Sequence, residues 1–139
     1  MDRSTTARSG TPSRDEGDIA DDIEVRLQVS FKRALAMGPG KAALILAIGR
    51  AGTISGAARE LGMPFRRAWT LMDELNTMFD RPVIATSTGG AVVTPFGLLV
   101  LERFQAMDQA VNLALDADMR AFVGLLRAGD AGAGGDTAA

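Results

Sequence analysis

The stretch Gly52–Phe79, GTISGAARELGMPFRRAWTLMDELNTMF, decides the fold predicted for this chain of 139 residues. It predicts two short helices joined by a tight turn. The first helix runs from Gly56 to Leu61, with the Ser55 hydroxyl as its N-cap and Gly62 in the left-handed conformation that ends it. The second runs from Pro64 to Phe79, because proline lacks the N–H that the first helical position leaves unpaired.

The second helix has one apolar and one polar face. At helical period the sequence places Ala68, Met72, Leu75 and Phe79 on one face and Arg66, Thr70, Asp73 and Thr77 on the other. A helix with a buried face, and with arginine near the start of its exposed face, suits the major groove of duplex DNA. The alternative is a pair of amphipathic helices as found in any all-α protein.

The residues GTISGAARELGMPFRRAWTLMDELN resemble the winged helix-turn-helix domain of ModE-type molybdate-responsive transcription regulators. They are similar, more loosely, to the DNA-binding domain of LysR-type regulators. The resemblance extends to GPGK at Gly38–Lys41, TSTGG at Thr86–Gly90 and VTPFG at Val93–Gly97, and so covers about residues 23–110. It implies transcription regulation, with a link to molybdenum genes. The chain departs from the family by passing straight from Gly90 to Ala91, which shortens the wing.

The elements around this stretch are predicted from local patterns. Apolar residues from Ile23 to Phe31 alternate with polar ones, which predicts a half-buried strand. In the resembled family such a strand joins the wing sheet. A supporting helix from Lys41 to Ala51 follows and ends at Gly52. Short β-prone runs at Val83–Thr86 and Ala91–Thr94 predict a hairpin, the wing.

A long apolar stripe follows the hairpin. Thr94 and Pro95 predict the start of a last helix, as its cap and its first residue. From Phe96 to Leu126 the apolar residues recur in steps of three or four. A helix of that length spans about 45 Å, and so small a domain cannot bury all of its stripe. We therefore expect its distal half to pair two subunits in a homodimer. A break near Ala114–Ala117, with the last piece folding back, is the alternative.

The predicted fold is mainly α with a small β wing: a winged helix-turn-helix with a long C-terminal dimerisation helix. Along the chain we predict a disordered tail at residues 1–21 and a DNA-binding domain at residues 22–110. The C-terminal part of the long helix, residues 111–128, carries dimerisation, and residues 129–139 form a flexible tail.

Composition weighs against an enzyme. The chain contains neither cysteine nor histidine, which removes disulfides, thiolate metal sites and the usual general base. It has no apolar run of membrane-spanning length and no signal-peptide core at its N-terminus, so we predict a cytoplasmic protein without a cofactor or metal. The net charge is −2, but residues 41–81 contain six basic and four acidic side chains, against three and six in residues 1–22. The field near the helices is therefore mildly positive.

The residues predicted to contact DNA lie on both helices and on the hairpin. Arg66 and Arg67 can bind phosphate or a guanine edge. Phe65 can touch a thymine methyl or simply cover the turn, and Trp69 is interpreted as half-buried packing. Thr53 and Ser55 have hydroxyls suited to phosphate that can alternatively serve only as caps. The full predicted set is Thr53, Ser55, Phe65, Arg66, Arg67, Thr70, Thr86, Ser87, Thr88 and Gly89.

Two other functions remain open: a winged helix that binds a protein, and a small oxyanion sensor. The resembled regulators join this domain to a separate molybdate-binding domain. After Leu126 this chain has only RAGDAGAGGDTAA, which is too short to fold as such a domain. We therefore predict no tightly bound small molecule, and control by abundance, by a partner or by competition with a full-length relative.

Overall fold

The computed structural model describes residues 23–126, so the tails predicted at residues 1–21 and 129–139 lie outside the described residues. These residues divide into two compact units, one of residues 26–110 and one that includes residues 23–25 and 111–126. None of the described helices combines the length and hydropathy that a membrane crossing requires. In chain order the elements are β1 (Val29–Phe31), β2 (Ala34–Met37), α1 (Pro39–Ala51), α2 (Ile54–Leu61), α3 (Phe65–Met78), β3 (Ile84–Ser87), β4 (Gly90–Val93), α4 (Pro95–Ala114) and α5 (Asp116–Val123).

Helices α1, α2 and α3 pack around one apolar core. Helix α1 contributes the large side chains of Leu44, Ile45 and Ile48, all of them fully buried. Helix α2 contributes Ala57 and Ala58, whose small side chains let the neighbouring helices approach closely. These positions therefore support α3 from behind and leave its other face in solvent.

The turn between α2 and α3 differs in its caps from the prediction. The N-cap of α2 is Thr53, whose Oγ1 accepts a hydrogen bond from the Gly56 amide at 2.9 Å. The prediction of Ser55 as N-cap and Gly56 as first residue is therefore wrong, since both lie inside α2. Gly62 has a φ of 69° and ends α2, as predicted. Pro64 is the N-cap of α3 instead of its first residue, and α3 otherwise matches the prediction to within one residue at each end.

The first hairpin was predicted only in part. Strand β1 covers the last three residues of the predicted strand Ile23–Phe31, and it pairs antiparallel with β2, which was not predicted. Lys32 and Arg33 form the turn with φ values of 53° and 70°, in a two-residue connection that usually takes asparagine or glycine. The two hairpins form separate two-stranded sheets, so the expectation that the first strand joins the wing sheet is wrong.

The largest difference from the predicted fold lies in the C-terminal helix, which is broken into two. Helix α4 ends at Ala114, and α5 starts after Leu115, whose φ of −95° and ψ of 6° depart from helical values. Asp116 and Asp118 lie in the first turn of α5, where acidic side chains favour a helix start. The spacing of the apolar residues does not reveal this helix start. The winged helix-turn-helix with a long C-terminal dimerisation helix is therefore wrong as predicted, and the long helix expected to form the homodimer is not formed. Residues 23–126 are mainly α with two small antiparallel sheets.

A buried lysine links three elements of the core unit. Lys41 of α1 is only 2% exposed. Its Nζ donates a hydrogen bond to the Leu35 carbonyl of β2 at 2.6 Å and lies 3.3 Å from Oε1 of Glu74 on α3. The ammonium group therefore ties the first hairpin to the helices, and it is engaged within the fold instead of facing a ligand.

Replacing Lys41 with methionine is expected to lower the free energy of unfolding by about 1–3 kcal/mol. Methionine keeps the volume of the side chain but removes the charged donor of the hydrogen bond to the Leu35 carbonyl and the ion pair with Glu74, and a hydrogen bond made by a charged group contributes about this much. Chemical denaturation measures the change. The same substitution at the exposed Lys32 removes only a contact of its Nζ with the Phe31 ring at 5.3 Å and should cost less than about 1 kcal/mol. Equal stabilities of the two variants would show that the buried ammonium group contributes nothing.

Candidate nucleic-acid interface

Helix α3 presents a solvated face whose opposite side is anchored in the core. Ala68, Leu71, Met72 and Leu75 are buried, which confirms three residues of the predicted apolar face and adds Leu71. The fourth predicted residue, Phe79, follows the helix as its C-cap and is partly buried. The exposed face carries Phe65, Arg66, Arg67, Trp69, Thr70, Asp73 and Thr77. With about 100° of rotation per residue, Arg66 lies nearly opposite the centre of the buried face. The helix is therefore fixed by packing, while its polar face remains exposed to solvent.

The basic side chains near this face differ in whether the fold already uses them. Arg50 is paired with Glu60, and Lys41 with Glu74. By contrast, the guanidinium groups of Arg59, Arg66 and Arg67 have neither a hydrogen bond nor an ion pair to any other residue among 23–126, and all three side chains are exposed. The unpaired arginines on the helix-turn-helix stretch thus lie on α2 and at the start of α3, while Arg33 and Arg103, which are likewise exposed and unpaired within residues 23–126, lie in the first hairpin turn and on α4. Arg59 was not predicted as a site residue, and only its pairing state identifies it.

Asn76 fixes the second hairpin to α3. Its Oδ1 accepts hydrogen bonds from the backbone amides of Val83 at 2.8 Å and Ile84 at 3.0 Å. Its Nδ2 donates to the Ile84 carbonyl at 2.9 Å. A second tie joins β4 to the α1–α2 junction, where the Ala91 amide donates to the Gly52 carbonyl at 2.8 Å. The position of the hairpin is therefore set by the same helices that present the arginines.

The hairpin itself matches its prediction closely. Strands β3 and β4 pair in register from Ile84 with Val93 to Ser87 with Gly90. Thr88 and Gly89 form the turn, and Gly89 has a φ of 90°, which suits glycine. The predicted tip residues Thr86–Gly89 are all exposed. Their hydroxyls and turn amides are accessible to an anion.

The predicted site residues differ in their exposure and in whether the fold already uses their polar groups. Phe65, Arg66, Arg67 and Thr70 lie together on the exposed side of α3. Ser55 is exposed in the first turn of α2, whereas Thr53 is half-buried and its hydroxyl is used as the cap of α2. Trp69 is 45% exposed, which agrees with its interpretation as a half-buried side chain.

The chain is similar in sequence to two kinds of known protein. No protein-family model matches it. Over 86 residues it is 38% identical to the molybdenum-pterin-binding protein MopB of Rhodobacter capsulatus, a stretch that covers 58% of the chain and 32% of MopB. It is 36% identical over 94 residues to the molybdenum-pterin-binding protein MopA of the same organism, covering 63% of the chain and 36% of MopA. It is 26% identical over 98 residues to the DNA-binding transcriptional dual regulator ModE of Escherichia coli K12, covering 67% of the chain and 37% of ModE.

The chain spans about a third of the length of the curated relatives that it matches. By their names these relatives are binding and regulatory proteins, which agrees with the prediction that the chain is not an enzyme. The chain is therefore homologous, over this stretch, to ModE and to the MopA and MopB proteins.

Proposed function

We propose that residues 26–110 bind duplex DNA through α3 and that the chain takes part in the regulation of molybdenum-linked genes. The proposal rests on which basic side chains have hydrogen-bond or ion-pair partners within the fold. Arg59, Arg66 and Arg67 have no partner among residues 23–126, whereas Lys41 and Arg50 nearby are engaged. A rigid helix that offers unpaired guanidinium groups at its exposed N-terminal end matches a helix that enters the major groove.

The charge balance supports specific over strong non-specific binding. Residues 23–126 contain eleven basic and nine acidic side chains, a net charge of +2. A surface of this kind releases few counterions, so its sequence-independent affinity is low. Arg66 at the centre of the exposed face can bond the O6 and N7 atoms of a guanine, while Arg67, toward the edge, suits a phosphate. The exposed hairpin from Thr86 to Gly89 would add backbone contacts.

Replacing Arg66 with alanine is expected to weaken binding to a selected duplex by about 1–3 kcal/mol, or roughly 5- to 150-fold in Kd. The loss should depend on sequence, because a base contact is removed. Fluorescence anisotropy with duplexes selected by the wild-type protein from a random-sequence pool measures it. The Arg67→Ala variant should weaken all duplexes alike and lower the slope of log Kd against log salt by about 1.

The matched control for Arg66 is Arg120→Ala. Arg120 is exposed and belongs to the other unit, where its Nε donates to Asp116 Oδ2 at 3.1 Å. An exposed pair four residues apart contributes only about 0.3–0.5 kcal/mol, so this variant should stay folded and retain its affinity. If Arg66→Ala keeps the wild-type Kd while circular dichroism shows an intact fold, the assignment of α3 as the reading helix is wrong.

A second candidate function is favoured by the names of MopA and MopB: the binding of a molybdenum compound or a related oxyanion. An anion needs convergent donors in a shielded pocket. The most buried cation among residues 23–126, Lys41, is already engaged by Leu35 and Glu74. We therefore rank this candidate second and keep the prediction that the chain holds no tightly bound molybdate.

Isothermal titration with molybdate and tungstate separates the two candidates. We expect no saturable heat with the full chain, and unchanged duplex binding in the presence of either anion. A stoichiometric micromolar site would make oxyanion binding the primary function. Sulfate, an oxyanion of the same charge, serves as the control for adventitious binding.

A further inference from the structure

Two exposed aromatic side chains lie on the same side of Arg66 on α3. Phe65 is 51% exposed and Trp69 is 45% exposed, and they are four residues apart, so they are neighbours along one edge of the helix. Trp69 lies about 60° around the helix axis from Arg66, since three residues fall 60° short of a full turn. We call the two aromatic side chains the Phe65–Trp69 edge, and Arg66 lies beside it.

The core buries only about half of each residue of the Phe65–Trp69 edge. Around the α2–α3 turn, Leu61 and Met63 are partly buried against the core, whereas Phe65 and Trp69 are more exposed. The buried face of α3 is already filled by its alanine, leucine and methionine side chains. Leaving about half of two large aromatic residues in water forgoes the stabilisation that their burial would give. Their exposure on the face that presents Arg66 indicates a ligand with apolar groups beside anionic or hydrogen-bond-accepting ones.

We propose that the Phe65–Trp69 edge reads thymine methyl groups in the major groove, next to a base contacted by Arg66. The inference rests on the proposed DNA binding and specifies the operator chemistry. The major groove offers that combination, since thymine presents its C5-methyl there and guanine presents acceptors. The surrounding charge fits DNA, because Arg59, Arg66 and Arg67 are exposed and unpaired within residues 23–126.

Deoxyuridine substitution tests the inference without changing the protein. A duplex selected by the wild-type protein from a random-sequence pool is synthesised with deoxyuridine in place of thymidine at each position in turn, which removes one methyl group at a time. At the contacted thymines we expect about fourfold weaker binding per methyl, the equivalent of one buried carbon. At the other thymines the ratio of the two Kd values should remain near one.

Protein variants assign the effect to the aromatic edge. In Phe65→Ala or Trp69→Ala the thymidine-to-deoxyuridine ratio at one of the contacted positions should fall to about one, whereas Phe65→Leu should retain part of it. Arg66→Ala should weaken binding overall and keep the ratio. Leu113→Ala, at a 74% exposed apolar residue of α4, is the matched control and should change neither quantity.

The outcomes separate this inference from the proposed function. A ratio near one at every thymine, with tight binding to the selected duplex, overturns the methyl reading and leaves DNA binding intact. The same holds if the ratio persists in both aromatic variants. A wild-type protein that selects no duplex overturns both proposals, and the aromatic edge would then be assigned to a protein partner.

Discussion

Replacing Gly97 with alanine is expected to destabilise the fold by about 3 kcal/mol, at the upper end of the range for overpacking. Gly97 lies in the first turn of α4, directly against the start of β3. A Cβ atom there would overlap the Val83 carbonyl oxygen and would approach Cγ1 of Val93 to 2.9 Å. The carbonyl belongs to the backbone of a fully buried residue, so it cannot move aside as a flexible side chain could.

The surrounding hydrogen bonds hold Gly97 at this short distance. Thr94 Oγ1 accepts from the Gly97 amide at 2.9 Å and donates to the Pro82 carbonyl at 2.7 Å. The Thr94 amide donates to the Val83 carbonyl at 2.9 Å. Relief of the overlap would break these bonds, which is why relaxation cannot remove the cost. Thermal unfolding should show a midpoint lower by more than about 10 °C.

Gly49→Ala is the matched control for this prediction. Gly49 lies inside α1, and an added Cβ would meet nothing within 4 Å. Alanine there should stabilise the protein by about 0.5–1 kcal/mol, because it favours the helix more than glycine does. Similar midpoints for the two variants would mean that α4 shifts away from β3 at little cost, and the close approach would then not be a determinant of the fold.

Local signals in the sequence were sufficient for α1, for the end of α2, for α3, for the start of α4 and for the second hairpin. Gly52 and Gly62 end α1 and α2 in the left-handed conformation with φ values of 75° and 69°, and Thr94 caps α4 as predicted. The burial of Ala68, Met72 and Leu75 follows from their helical spacing. These features depend on residues within one or two turns of each other, so they can be predicted from the local sequence.

The errors arise where residues distant in sequence, or competing local signals, determine the structure. The Lys32–Arg33 turn lacks the usual glycine or asparagine, so β2 was not predicted. The apolar period continues through Leu115, although Asp116 and Asp118 favour a new helix start there. For the candidate site, the sequence predicted the arginines of α3, which the structure leaves exposed. The pairing of Arg50 with Glu60, which distinguishes Arg50 from the unpaired Arg59, depends on tertiary contacts.

Asn76→Ala is expected to cost about 3 kcal/mol, since the side chain makes three hydrogen bonds worth about 1 kcal/mol each. Val83 and Ile84 are buried, so water cannot easily replace the lost amide. A loss of this size is smaller than the stability of a typical domain, and the variant should remain folded at low temperature. Chemical denaturation gives the free energy, and amide hydrogen exchange at Val83 and Ile84 reports whether the strand has loosened.

The matched control is Thr77→Ala, at the exposed neighbour of Asn76 on the same helix. It should change stability by less than about 0.5 kcal/mol and leave exchange at Val83 and Ile84 unchanged. Asn76→Asp keeps both acceptor bonds but sets a carboxylate oxygen against the Ile84 carbonyl, so its stability should lie below that of the wild type. If Asn76→Ala loses less than about 1 kcal/mol and exchange at both amides stays slow, the hairpin is held by its other contacts. In that case the hydrogen bond from the Ala91 amide to the Gly52 carbonyl is the contact that positions the hairpin.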